Sequence, residues 1–146
     1  MTININMQEA HIEFTLDHVG ISISNLVRSI DFYTKMFGFK CERIIEMPNY
    51  KVALLKNAGL TIEMFQYSNA LPLPDDRKTP AKDLRTIGVK HFAFRVNDII
   101  VAANFLKKNG VEFISEPAVG VRGWRRFFVK DPDGIPLELS EGPMHG

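Results

Sequence analysis

The chain states one pattern twice. Leu16-Asp17-His18-Val19-Gly20-Ile21-Ser22-Ile23 opens a strand-like alternation, and about half the chain later Val89-Lys90-His91-Phe92-Ala93-Phe94-Arg95-Val96 repeats it. In each copy a histidine precedes alternating apolar residues (Val19, Ile21 and Ile23; Phe92, Phe94 and Val96). Side chains alternate between the faces of a strand, so each histidine projects opposite the apolar face. His18 shares its face with Gly20 and Ser22, whose small side chains leave room beside it. In both copies an asparagine-containing turn then leads into an amphipathic helical pattern. The sequence reads as two copies of one module, about 12–67 and 89–142, within a single domain spanning 12–142.

The elements follow in the same order in each half. Residues 1–11 read as a mobile or edge segment in which His11 is solvated. The alternation predicts a strand from Ile12 to Ile23, then a helix capped by Ser24 or Asn25, with Leu26, Ile30, Tyr33 and Phe37 on one stripe and Gly38 at its end. Strands are expected at Lys40–Glu46, Lys51–Leu55 and Leu60–Gln66, with turns at Pro48-Asn49 and Asn57-Ala58-Gly59. In the second half the strand at 89–96 leads to a helix capped near Asn97 or Asp98, with Ile99, Ala102, Ala103 and Leu106 inward. Strands follow at Val111–Ile114, about Trp124–Lys130 and Ile135–Ser140, the last two joined by the turn Asp131-Pro132-Asp133-Gly134. Residues 68–88, with Pro72, Pro74 and Pro80, read as a long connection: a lid or binding loop on one view, a plain linker on the other.

Composition excludes several classes. A formal net charge of +1 provides no basic field for nucleic acid. No apolar run approaches the roughly 20 residues of a membrane span, and the amino terminus lacks the continuous apolar stretch of a secretory signal. A cytoplasmic location is the expectation. One cysteine, Cys41, rules out an internal disulfide and a multi-cysteine zinc site; it reads as an ordinary buried thiol.

Four residues carry the chemistry: His18, Glu63, His91 and Glu138. Each glutamate lies between apolar residues late in its module (Ile62 and Met64; Leu137 and Leu139), and each follows its histidine at nearly the same separation. A single strand glutamate commonly faces water, but the same pair at equivalent places in two modules points to one shared site. Two imidazoles and two carboxylates suit a catalytic divalent ion such as Ni, Co, Zn, Mn or Fe, and suit calcium poorly.

These motifs resemble the vicinal oxygen chelate superfamily, which includes glyoxalase I. The resemblance covers about residues 14–142 and rests on Asp17-His18-Val19-Gly20-Ile21, Ile30-Asp31-Phe32-Tyr33 before Phe37-Gly38, the His91 strand, and Asp131-Pro132-Asp133-Gly134 followed by Leu137-Glu138-Leu139. It implies an α+β fold of two βαβββ modules whose curled strands form a cupped eight-stranded mixed sheet around one metal. It places His18, Glu63, His91 and Glu138 at the glyoxalase I metal positions. The implied activity is that of a metal-dependent lyase, isomerase or epimerase acting through an enediolate or enolate, with Glu138 as base and Glu63 its counterpart, or with both purely ligating. The chain departs from glutathione-using members at Ser22, where they carry arginine, and Tyr67, where they carry asparagine. It lacks the additional acid that coenzyme A epimerases place in the strand holding Val52-Ala53-Leu54-Leu55. An Fe(II) extradiol-type dioxygenase, a metal-dependent resistance transferase and a non-catalytic antibiotic-binding protein are the other branches. Arg95 and Arg126 are candidates to hold an anionic substrate group, and Trp124 and Tyr67 to line the pocket; solvated arginines and core aromatics are the plainer alternatives. The expected partners are a small-molecule substrate and a second copy of the chain, because open sheet edges need covering.

Overall fold

The computed structural model describes residues 12–142; the segment 1–11, with His11, lies outside the described residues. The first module runs β1 (Val19–Ser22), α1 (Leu26–Phe37), β2 (Lys40–Glu46), β3 (Tyr50–Asn57) and β4 (Leu60–Tyr67). The second runs β5 (Ala93–Arg95), α3 (Ile99–Lys108), β6 (Ala118–Val119), β7 (Arg125–Lys130) and β8 (Pro136–Ser140), after a short α2 (Pro80–Asp83) in the connection. The eight strands form two four-stranded sheets of matching order, β1-β4-β3-β2 and β5-β8-β7-β6. In each, the first strand pairs parallel to the last and the remaining pairs are antiparallel. The fold is α+β, as the family resemblance implies.

Local chemistry fixes the helices. The Asn25 side chain accepts from the Arg28 N–H at 3.0 Å, capping α1. Gly38 ends α1 at φ 69°, a backbone conformation that a Cβ disfavours. Asp98 caps α3, accepting from the backbone N–H groups of Ile100 and Val101 at 2.9 and 3.0 Å. Inward-facing Leu26 and Tyr33 of α1 and Ile99, Ala103 and Leu106 of α3 enter one core with Leu55, Ile62, Met64, Phe127, Val129, Leu137 and Leu139.

That core belongs to both modules. Phe37 of α1 stacks on Phe94 of β5, ring centroids 4.6 Å apart. The Tyr33 hydroxyl donates to Asp131 Oδ2 at 3.2 Å. Asp133 accepts from the Ser24 backbone N–H at 3.1 Å and from the Arg28 guanidinium at 2.9 Å. The β7–β8 turn is thus tied to the start of α1.

Several expected elements differ. Residues 12–18 form no strand: β1 finds its neighbour in β4 and its other edge has none among the described residues. The strand at 89–96 contracts to Ala93–Arg95. The strand expected at Val111–Ile114 is reduced to a single Phe113–Val129 bridge, because the Ile114 and Ser115 N–H groups converge on the same Phe128 carbonyl and break the ladder. The outer strand is instead β6, just beyond Pro117. The connection 68–88 is partly ordered: a 3-10 turn at Asp75–Arg77 and α2 are tied back by Asp83, which is 5% exposed and pairs with Lys90 Nζ at 3.2 Å and Arg77 Nε at 3.4 Å. Cys41 is exposed on the edge strand β2, correcting the expectation of a buried thiol.

Candidate functional site

Register explains how residues far apart in sequence meet. In the first sheet Glu63 of β4 stands opposite Gly20 of β1. In the second, Glu138 of β8 stands opposite Ala93 of β5. His18 and His91 each lie two residues upstream of that partner, so each projects on the same face as its glutamate. The result is two equivalent dyads. His18 Nε2 lies 3.2 Å from Glu63 Oε2, and His91 Nε2 lies 2.8 Å from Glu138 Oε2. Their surroundings differ. The His18 and Glu63 side chains are 41% and 30% exposed, against 21% and 17% for His91 and Glu138, so the second dyad sits deeper. The ring of His91 also meets Phe128 edge-on, with centroids 4.9 Å apart.

The donor chemistry of each dyad fits half a metal site. Two ligand atoms each about 2.1 Å from an ion and at right angles stand about 3 Å apart, close to the separations in both dyads. Within one chain the structure brings His18 to Glu63 and His91 to Glu138, but no group of three or more His, Cys, Asp or Glu residues able to hold a metal occurs among the described residues. Within one chain the four candidate ligands therefore meet as two pairs.

Asp17 takes a role the sequence reading passed over. Its carboxylate accepts from His18 Nδ1 at 2.7 Å, which leaves Nε2 turned toward Glu63. This hydrogen bond, with the Glu63 charge adding to it, raises the His18 pKa above its ordinary value. The adjacent acid in Asp17-His18 was the available signal.

A pocket of about 330 Å³ opens over the second dyad. His91 and Glu138 lie in its wall with Trp124, Arg126 and Phe128. Arg95 instead borders an adjoining cleft of about 200 Å³, with Trp124 and Arg122. Tyr67 is on the other module, stacked on Tyr50 at 4.8 Å, and does not line this pocket. Pro80 and Leu84 from the connection complete the wall. Arg122, before β7, was also missed; it falls in a turn where no periodicity singles it out.

Two matching βαβ-type halves with a His–Glu dyad on each curved sheet now stand beside a family comparison. The description "Glyoxalase/Bleomycin resistance protein/Dioxygenase superfamily" matches residues 15–139. The chain belongs to this superfamily. Among its relatives, the protein "Uncharacterized protein YwkD" of Bacillus subtilis is 31% identical over 130 residues, covering 87% of this chain and 96% of the relative. A "Lactoylglutathione lyase" of Escherichia coli O157:H7 is 32% identical over 127 residues, covering 85% and 90%. The crystal structure of a glyoxalase family protein from Enterococcus faecalis is similar with a TM-score of 0.75 at 31% identity, covering 87% of this chain and 97% of that one. Glyoxalase-superfamily membership accounts for the duplicated architecture. Among the described residues, no helix is long and apolar enough to cross a membrane.

Proposed function

We propose that this glyoxalase-superfamily chain is a divalent-metal-dependent lyase, isomerase or epimerase that moves a carbon-bound proton beside a carbonyl or thioester of a small substrate. The observation that carries the reading is the pair of equivalent His–Glu dyads, each supplying one imidazole nitrogen and one carboxylate oxygen at matching register. The donor set would be completed in a homodimer, His18 and Glu63 of one protomer facing His91 and Glu138 of its partner. Ile12, Phe14 and Leu16 before β1, and Ile87 and Val89 before β5, support that arrangement: all are 55% exposed or more, exposed apolar residues at matching positions in both modules.

When bound, the ion supplies positive charge to the substrate oxygens on which negative charge develops. Glu138 is the base in this reading, because its wall of Phe128 and Trp124 shields it more than Glu63 is shielded. It takes the proton and returns it at the same or a neighbouring carbon.

The test uses two variants, His18→Ala and His91→Ala. Each alone should lose stoichiometric Ni2+ or Zn2+ binding in calorimetry. Refolded together in equal amounts, they should recover one site per mixed dimer, about half a site per dimer over the whole sample under random pairing, since one of the two shared sites of a mixed dimer carries neither substitution. Failure of the native protein to bind either ion, or the absence of any recovery in the mixture, would count against the shared centre.

A further inference from the structure

The pocket beside His91 and Glu138 holds a second set of groups that the dyad leaves unused: Arg126, Arg122 and Trp124. Arg126 packs against its surroundings. It lies against the backbone of Gly120, where a Cβ would come within 2.5 Å of its Nε and 2.9 Å of its Cδ. Its guanidinium carbon sits 5.1 Å from the Phe128 ring centroid. Its Nε is 3.8 Å from Glu138 Oε1, close enough for attraction but too far for a hydrogen bond. Arg122 lies over the Trp124 ring, 4.0 Å from its centroid, and makes no ion pair among the described residues. Both guanidinium groups therefore keep donors open to the pocket.

The charge and polarity of the wall restrict what fits. Of its charged side chains two are guanidinium groups and one is the Glu138 carboxylate. Much of the remainder is apolar, and part of it is uncovered: Val121 is 100% exposed and Leu84 63% exposed. A guanidinium fork matches the two oxygens of a carboxylate, and a cation paired loosely or not at all is better placed to accept one than a saturated one. An apolar wall with a few convergent polar groups is the usual form of a small-molecule site.

We propose that this pocket selects a small carboxylate with a compact apolar body. Arg126, assisted by Arg122, holds the carboxylate, and Trp124, Leu84 and Val121 cover the body. Arg126 is thereby a specificity-determining residue. The inference names the substrate class of the site read above, but the anion contact itself requires no metal.

Trp124 is the single tryptophan of the chain, so its fluorescence reports on the pocket directly. The full-length protein is titrated with phenylacetate and with phenylacetamide, a neutral probe of nearly the same shape. Phenylacetate should give a saturable change, with the amide at least tenfold weaker. Arg126→Met should remove that preference, Arg126→Lys should retain part of it, and Gly120→Ala should weaken phenylacetate binding by pushing Arg126 aside. Metal content is measured on every sample. A carboxylate preference that persists in metal-free protein supports this inference even if the metal reading fails. Equal affinity for the two probes in the native protein overturns it without touching the metal reading, as does a full preference retained in Arg126→Met.

Discussion

Asp131 offers a sharp test of the junction between the modules. It is 5% exposed, and its carboxylate accepts from the backbone N–H groups of Asp133 and Ile135 at 2.9 and 2.8 Å and from the Tyr33 hydroxyl at 3.2 Å. Burial outweighs those bonds and lifts its pKa from 3.8 to about 6, with the Asp133 charge acting in the same direction. The folded protein therefore holds this proton more tightly than the unfolded chain does. Its stabilising effect is fully present below the unfolded value and is lost as pH rises through about 6. At about 1.36 kcal/mol per pH unit, the whole span amounts to about 3 kcal/mol. Asp131→Asn preserves the shape and the acceptor oxygen but carries no charge at any of these pH values. Urea unfolding of both proteins at one fixed concentration, from about pH 4 to about pH 8, isolates the effect as the difference between them. That difference should move in favour of the Asn variant by about 2.4 kcal/mol across the range, because at pH 4 the unfolded carboxyl is already more than half ionised. Parallel curves would refute the reasoning, since they would mean that the carboxylate ionises in the fold as easily as in the unfolded chain.

Other substitutions probe the frame around the site. Phe94→Ala removes the ring stacked on Phe37 and should destabilise the protein by about 3 kcal/mol, read from urea midpoints at constant slope. Asp98→Ala leaves the first N–H groups of α3 unpaired and should lower stability by about 1 kcal/mol by the same assay; no change would mean that water replaces the cap without penalty. Gly38→Ala forces a side chain into a backbone with φ 69° and should lower stability by about 1 kcal/mol, visible as a lower Tm. Glu138→Gln keeps the shape of the deeper dyad while removing its charge; it should weaken Ni2+ or Zn2+ binding at least tenfold in calorimetry with little change in Tm.

The repeated pattern made most of this architecture legible. Nearly equal spacing of His and Glu in two halves singled out these four residues as one set, while their meeting as two pairs rests on the parallel pairing of first and last strands, which puts Glu63 opposite Gly20 and Glu138 opposite Ala93. Helix caps at Asn25 and Asp98 were likewise readable from residue type. Strand lengths were not. Ile12, Phe14 and Leu16 alternate as a strand should, yet alternation records which face wants burial and says nothing about whether a neighbouring strand is present to pair. Val111–Ile114 failed for a related reason, its ladder being broken where two N–H groups share the Phe128 carbonyl. The convergence of Arg122, Gly120 and Leu84 on one pocket depends on how a turn and the connection fold back, which no periodicity encodes.

The core common to both modules has a practical consequence. A protease cutting between Ser68 and Gly88 would sever the backbone yet leave Tyr33, Phe37 and Phe94 interlocked, so the two fragments should stay together as one particle until denaturant exposes that seam. Expressed separately, neither fragment would have anything to cover its half.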